Sequence, residues 1–312
     1  MPSGTTRDWP PLPFPEWAAT RKTLHMYTQI LGKIRLALSP PQPEWLGSCL
    51  HMTARGLTTG PMPHETGLLE VGLDLLGHHV IVSSSRGPAR TISLLPALTV
   101  ADVYAEVMGA LAGLGVDLDL WTKPQEVAET TPLDQNRQDG TYEPDQVERF
   151  LHVLAAVQGV FDVWRSRFFG RTGLQFWWGA FDLAVLRFTG RRVEAPTDRG
   201  YIMRHDLDAE FMNAGFWPGG DDAPEPVFYA YIHPQPAGCS LAPVEPDAAA
   251  WVESMSEWMI PYERIRSSAD PAGALLGFLD SVYRVAGSHG GWDLPGFEYE
   301  PPDPPVRRTD LA

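Results

Sequence analysis

The sequence predicts an α+β protein built from two repeated halves, each with antiparallel strands and flanking helices. The first observation is a repeated pattern: the stretches 24–34 (LHMYTQILGKI) and 151–161 (LHVLAAVQGVF) both begin Leu-His and both carry a glycine eight residues later. Secondly, both stretches space their apolar residues by three and four, which is typical of a helix with one buried face. Thirdly, each is followed by segments in which apolar and polar residues alternate, a pattern that predicts half-buried strands.

The first half is assigned to residues 1–123. A helix is predicted over 16–38, where Ser39-Pro40-Pro41 ends it. Strands follow over 49–55 and through LLEVGLDLL, whose leucines and valine share one face while Glu70 and Asp74 share the other. The next segment reads as a hairpin that turns at Arg86-Gly87-Pro88. A helix over 100–114 and a short strand over 116–121 complete this half.

A polar linker is predicted over 124–146, and the second half over 147–292. This half begins with a helix over about 145–169, followed by one long strand over 174–189. Residues 205–220, which include the glycine-rich AGFWPGG, read as a loop that could wall a pocket. A strand is predicted over 226–232, then helices over 247–258 and 270–287. Residues 293–312 are rich in proline and acidic residues, which predicts a disordered tail. A pocket between the two halves is the expected ligand site.

Charge and composition limit the kinds of partner that the protein is expected to bind. The net charge of −15 repels phosphate backbones, so nucleic acid is not expected as a partner. No apolar run reaches eighteen residues and the amino terminus lacks a signal core, so neither a membrane partner nor export is expected, and the cytoplasm is the default compartment. Two cysteines, Cys49 and Cys239, are too few for a disulfide scaffold. A homodimer is left open.

Several stretches resemble one uncharacterised, largely actinobacterial family of unknown function. They are WPPLP with the following EW, TLHMYTQILGKIRLAL, TARGLTTGPMP, FWWGAFDLAVLRFTGRR and AGFWPGG, and the resemblance covers roughly residues 8–290. It implies no general activity. Relatives resemble Asn-His-Trp-Trp-His where this chain has residues 43–48, and carry a histidine where it has Ala209. If those histidines bind a metal, this chain has lost them, which would make it a divergent member with altered chemistry.

Three side chains are the candidate acids or bases. Glu210 ranks first, because the resemblance places it in a shared motif. His25 lies four residues before Gln29 and eight before Lys33, so the three share one helix face that could orient a substrate. Asp182 falls among apolar residues, where a carboxylate needs a partner or has a raised pKa. The alternatives are an exposed acidic loop, a solvated helix face and a structural ion pair, respectively.

Further polar candidates lie on predicted strands. Arg55 and Arg187 occupy equivalent strand ends and could clamp a carboxylate or phosphate, although two copies favour a structural role. Glu70 and Asp74, with His78, form a polar strand face that could serve acid–base or metal chemistry, or could simply face solvent.

Aromatic residues are expected to wall the pocket. The candidates are Trp177, Trp178, Phe216, Trp217 and Tyr229. Signatures for dinucleotide binding, nucleoside triphosphate binding and serine hydrolysis are missing.

Together these features favour an enzyme of specialised metabolism that binds an apolar or aromatic small molecule. It would use side-chain acid–base catalysis for a cyclisation, elimination or isomerisation, without a dissociable redox cofactor. One alternative is a metal-dependent enzyme with His25, Glu70, Asp74, His78 or Glu210 as ligands. The other is a non-catalytic protein that binds a ligand or a partner.

Overall fold

A computed structural model describes residues 9–300, except 66, 139, 196 and 199–205. The first half begins with the long helix α1 (Phe14–Leu38), and its strands are β1 (His51–Thr53), β2 (Gly56–Thr58), β3 (Met62–His64), β4 (Gly67–Asp74), β5 (His79–Ser84) and β6 (Gly87–Ser93). Helix α2 (Val100–Ala112) closes the half. The strands form one antiparallel sheet in the order β1-β2-β4-β5-β6, with β3 paired to β4.

The second half repeats this order of elements. Helix α3 (Pro144–Ser166) precedes β7 (Arg171–Trp177), β8 (Asp182–Arg192), β9 (Ala209–Trp217), β10 (Val227–His233), β11 (Ala250–Val252) and β12 (Glu257–Pro261). The helices α4 (Tyr262–Arg266), α5 (Pro271–Gly290) and α6 (Leu294–Phe297) follow. Its sheet has the antiparallel order β7-β8-β9-β10-β12-β11. The predicted class, α+β with two sheet-based halves, is confirmed.

Helices α1 and α3, which begin the two halves, each pack against the sheet of their own half. Helix α1 starts beside Pro13 and Pro15, and it ends at Ser39, where two prolines cannot continue it. It packs on β3, β4 and α2 on one side and on α3 on the other, so its residues are buried almost all round. The two halves share one continuous apolar core. A backbone bridge between Leu50 and Phe176 also links the β1 region to the edge strand β7.

The segment predicted as a linker packs closely on α1. The described residues between 124 and 143 form no helix or strand, yet Leu133 and Asn136 are buried. The backbone amide of Gln125 donates to Gln29 Oε1 at 3.1 Å, which ties the segment to α1.

Five local predictions are wrong. Residues 116–121 contain no strand, and residues 174–189 form two strands, because a turn at 178–181 separates β7 from β8. Residues 209–217 form β9 rather than a loop, and the helix predicted over 247–258 is replaced by β11 and the start of β12. Residues 294–297, placed in a disordered tail by their composition, form α6, where Phe297 stacks on Phe168 at 5.0 Å. Residues 301–312 of that tail lie outside the described residues.

None of the described helices combines the length and the apolarity that a membrane span requires.

Candidate functional site

One face of the second sheet is covered by helices, and the opposite face carries polar residues beside a small buried apolar cluster, Leu186, Phe188, Ala209 and Phe211. Helices α3 and α5 pack on the face that carries Leu183, Val185 and Met212. Because side chains alternate along a strand, the register places Asp182, Asn213 and the β10 tyrosines on the opposite side. We call this side the polar face and define it by Gln175, Asp182, Asn213, Tyr229, Tyr231 and Glu257.

Asp182 is the buried carboxyl of the polar face. It is 5% exposed, its Oδ2 accepts a hydrogen bond from the Tyr229 hydroxyl, and its Oδ1 has no partner among the described residues. Burial raises the pKa of Asp182 to about 7; the Tyr229 hydrogen bond opposes that rise, and the charge of Glu126 adds to it. Asp182 can therefore carry or release a proton near neutral pH.

Gly215 is the reason that Tyr229 can reach Asp182. These residues lie on neighbouring strands, with Gly215 directly opposite Tyr229 in the register. A Cβ atom at position 215 would overlap the ring and hydroxyl of Tyr229. The tyrosine thus lies flat across β9, in space that only glycine leaves free.

Asn213 and Tyr231 form a second pair beside the first. Asn213 Nδ2 donates to the Tyr231 hydroxyl at 3.0 Å, and the rings of Tyr229 and Tyr231 stack with centroids 6.5 Å apart. Asn213 Oδ1 and Gln175 Oε1 are buried and have no partner within the described residues. The polar face therefore presents oxygen atoms that still need hydrogen-bond donors.

Two further carboxyls share this environment. Burial raises the pKa of Glu257 to about 7, with a further contribution from Asp182. Burial likewise raises the pKa of Asp206 to about 7, reinforced by Glu126 and Glu44. Across the described part of the chain, neither carboxyl forms an ion pair. Partial protonation relieves the repulsion between these carboxyls.

Unusual backbone conformations surround the polar face. Phe181, directly before Asp182, has φ of 64°, and Glu126 has φ of 58°. Glu44 and Trp45 have φ of 52° and 55°. These are four of the six non-glycine residues with positive φ in the described chain. Such conformations are costly and concentrate at functional sites, which makes this face the strongest candidate.

The predicted stripe on α1 contacts the β7–β8 turn and the segment after residue 123. His25 Nε2 lies 3.0 and 2.9 Å from the carbonyl oxygens of Trp178 and Gly179, so this nitrogen carries the proton and donates. Burial lowers the pKa of His25 to about 3. Gln29 donates to the carbonyl of Gln125 at 2.8 Å, which fastens the segment after residue 123. The histidine therefore holds the β7–β8 turn.

Lys33 belongs to the same structural stripe. Its Nζ lies 4.8 Å from the ring centroid of Trp121 and donates to Gln125 Oε1 at 3.4 Å. Burial lowers its pKa to about 8. Its contacts bind it to the 121–125 segment rather than to the polar face.

Glu210 lies on the other face of β9. It alternates with Ala209 and Phe211, and its carboxylate pairs with both nitrogens of the Arg191 fork at 2.6 and 2.7 Å. Thr189 donates to the same carboxylate at 2.6 Å. Glu210 is therefore an ion-paired residue, separated from Asp182 by the sheet. His205, in the same motif, lies outside the described residues.

The polar residues predicted on the first half do not join this site. Arg55 is exposed and pairs with Asp74 at 2.8 Å, Glu70 accepts from Thr58 at 2.6 Å, and His78 meets Tyr142 and Glu148. These are separate surface or structural contacts.

Arg187 is not equivalent to Arg55. It is buried within β8, with its guanidinium 3.5 Å from the ring centroid of Trp164 and 4.4 Å from that of Tyr283. It also donates to the Trp164 carbonyl, so it has a structural role. Among the described residues, no three His, Cys, Asp or Glu side chains gather in a way that could hold a metal ion.

The predicted aromatic walls divide between the two faces. Tyr229, Trp177 and Trp217 lie on the polar side, and Trp217 Nε1 donates to the Ala180 carbonyl at 3.1 Å. Phe216 packs on the helix side against Phe228. Trp178 is buried against Gly32 and donates to the Ser48 carbonyl at 2.9 Å.

Sequence reasoning missed Gln175, Asn213, Tyr231 and Glu257, and within the polar segment 205–210 it favoured Glu210 over Asp206. The alternation in VFYAYIH could have placed Tyr231 beside Tyr229.

Comparison with known proteins gives a family and nothing more specific. The sequence model of the family of unknown function DUF5996 matches residues 9–299. No curated protein and no solved structure matches the chain significantly.

Proposed function

The chain belongs to this family of unknown function, and we propose that it is an acid–base enzyme that acts on a small molecule held against the polar face. One observation carries the proposal: Asp182 is a buried carboxyl with a pKa of about 7, a tyrosine on one oxygen and no partner on the other among the described residues. A group that titrates near the working pH is suited to moving protons in both directions.

Asp182 Oδ1 would take a proton from a substrate C–H, O–H or N–H group. The proton would then return to another substrate atom, or leave with a departing group, so that Asp182 ends as it began. Tyr229 would keep donating to Oδ2, which stabilises the carboxylate while the acid is deprotonated. Isomerisation, elimination and cyclisation all fit this exchange, and none of them consumes a redox cofactor.

Glu257 and Asp206 are the candidates for a second acid or base. Both have a pKa of about 7, and the charge of Asp182 contributes to the raised pKa of Glu257. A carboxyl that titrates near the working pH can donate or accept a proton at a second substrate atom. Of the three catalytic residues expected from sequence, the proposal retains Asp182 and assigns Glu210 and His25 to structural roles. It also retains the expectation of a cytoplasmic protein that handles small molecules rather than nucleic acid.

Deuterium exchange tests the proposal without knowledge of the product. A panel of small amines, hydroxylated aromatics and ketones would be incubated with the protein in D₂O and analysed by mass spectrometry. We expect at least one compound to gain deuterium or change mass with the wild type and with Glu210→Gln, but not with Asp182→Asn. Equal turnover by Asp182→Asn would overturn the proposal.

Non-catalytic binding is the second candidate. The unpartnered oxygens of Asn213 and Gln175 favour it, because they call for ligand donors whether or not a reaction follows. Compounds that bind in an Asp182-dependent manner, without exchange or turnover anywhere in the panel, would favour this candidate over catalysis.

A further inference from the structure

We propose that the polar face recognises an organic cation with N–H donors, a primary ammonium or guanidinium group attached to an aromatic or aliphatic body. The inference rests on the proposed function in using the same face, and it adds the chemical class of the ligand.

The first support is uncompensated negative charge. Neighbouring carboxylates are paired: Glu44 with Arg171 at 2.6 Å and Asp208 with Arg192 at 2.7 Å. Asp182, Glu257 and Asp206 have no such partner within the described residues. Among the described residues, the charges that raise the pKa values of the two aspartates belong to carboxyls: Glu126 acts on both, and Glu44 and Asp208 act on Asp206. A cation would supply the missing charge.

The second support is the kind of atom left without a partner. Three buried side-chain carbonyl or carboxyl oxygens in the described chain have no hydrogen-bond partner, and all three lie on the polar face: Asn213 Oδ1 and Gln175 Oε1, which only accept, and Asp182 Oδ1, which accepts when the carboxyl is ionised. Asp182, Asn213 and Gln175 are 5%, 7% and 8% exposed, respectively. The other orphaned atoms are N–H groups and hydroxyls elsewhere in the fold. A ligand with N–H donors can satisfy an oxygen of this kind, whereas a carboxylate or phosphate ligand would add more acceptors.

The third support is the shape of the group that fits. The carboxyls do not converge as metal ligands in the described chain, so the arrangement favours a larger cation over a bare metal ion. Tyr229 and Tyr231 present stacked, half-buried rings beside them. A cation held over such rings gains additional electrostatic attraction.

Binding is expected to depend on pH. Asp182, Glu257 and Asp206 each lose a proton near pH 7, and a bound cation favours their ionised forms. Further titratable groups on this side, among the described residues, are Glu126, Tyr229 and Tyr231, whose pKa values are raised by burial, and His233, whose pKa is lowered by burial. None of these groups gains positive charge as the pH rises from 6 to 8. Affinity for a cation should therefore rise over that interval.

Calorimetric titration with four matched probes tests the inference: phenethylamine, phenylguanidine, 2-phenylethanol and phenylacetate. We expect the two cations to bind at least about tenfold more tightly than the alcohol, equivalent to about 1.4 kcal/mol. Phenylacetate should not bind, and the affinity of the cations should increase from pH 6 to pH 8. Asp182→Asn should weaken binding of the cations at least tenfold, while Glu210→Gln, on the opposite face, should not change it.

The possible outcomes distinguish an error in the proposed class of ligand from an error in the proposed binding site. Equal or tighter binding of 2-phenylethanol or phenylacetate, lost in Asp182→Asn, overturns the cationic class and leaves the proposed site standing. Failure of both cations to bind also overturns the cationic class. Binding of the cations that survives Asp182→Asn unchanged overturns the site itself.

Discussion

Replacing Asp182 by asparagine should stabilise the protein more as the pH rises. The pKa of Asp182 is raised from 3.8 to about 7, so the folded protein binds the proton more tightly than the unfolded chain does. The stability that this gives is complete below pH 3.8 and is lost as the pH rises through 7. At about 1.4 kcal/mol per tenfold change in proton affinity, ionisation costs the fold about 4 kcal/mol in total, of which about 2–3 kcal/mol falls between pH 5 and 8. Asparagine keeps the shape and can still accept from Tyr229.

Urea unfolding of the wild type and of Asp182→Asn, at pH 5 and at pH 8, measures how the stability difference between them changes with pH. The stability of the variant relative to the wild type should increase by about 2–3 kcal/mol between the two pH values. Asp74→Asn is the matched control: its pKa is lowered by the Arg55 hydrogen bond and backbone amides, so its effect should be constant above pH 5. The reasoning would be refuted if the difference in unfolding free energy between Asp182→Asn and the wild type were the same at both pH values. It would also be refuted if the variant were less stable, relative to the wild type, at pH 8 than at pH 5.

Three further predictions follow from the same contacts. Gly215→Ala should destabilise the fold by about 1–3 kcal/mol, because the added methyl group would collide with Tyr229. Gly277→Ala is the control: its methyl group would enter open space on a helix, so this change should be neutral or stabilising. Unfolding experiments in which Gly277→Ala is the more destabilising of the two would contradict this prediction. The His25 ring should show no titration between pH 5 and 8 by NMR, because its pKa lies near 3, and a midpoint above pH 5 would disprove the structural assignment. Glu210→Gln should weaken the fold by about 1 kcal/mol yet leave ligand binding unchanged in calorimetry, and a loss of binding would return that residue to the site.

The long helices and the most regular strand can be predicted from the sequence, because the periodicity that indicates them is local. Helix α1 shows spacings of three and four and a double-proline stop, and β4 alternates cleanly. By contrast, β11 and β12 are short, with three and five residues. The pairing of β12 with β10, distant in sequence, fixes it as a strand and overrides a helical reading.

The turn between β7 and β8 shows what pattern reading misses. Residues 174–189 are apolar almost throughout, so they read as one buried strand. The chain turns because Phe181 adopts a positive φ and donates its amide to the Trp177 carbonyl, while His25 binds the carbonyls of the turn. The contact with His25 comes from helix α1, which is distant in sequence, so the residues of the turn themselves do not predict it.

The candidate site was visible only in part. Asp182 stood out as a carboxyl among apolar residues, and Tyr229 as an aromatic wall. Asn213 and Glu257 escape sequence reasoning because the composition of their segments predicts a loop and a helix. Once those segments are strands, the register brings Asn213 opposite Tyr231 and places Glu257 two residues from Met259, the partner of Tyr229.

The most direct test of the site is the titration of the Asp182 carboxyl itself. Protein labelled with ¹³C in its aspartate carboxyl groups would be followed by NMR from pH 3 to 9, with Asp182→Asn used to assign the signal. We predict a carboxyl resonance, absent in the variant, that titrates with a midpoint near pH 7. If the resonance that the variant removes has completed its titration below pH 5, Asp182 is an ordinary ionised carboxylate, and the proposed acid–base site is contradicted.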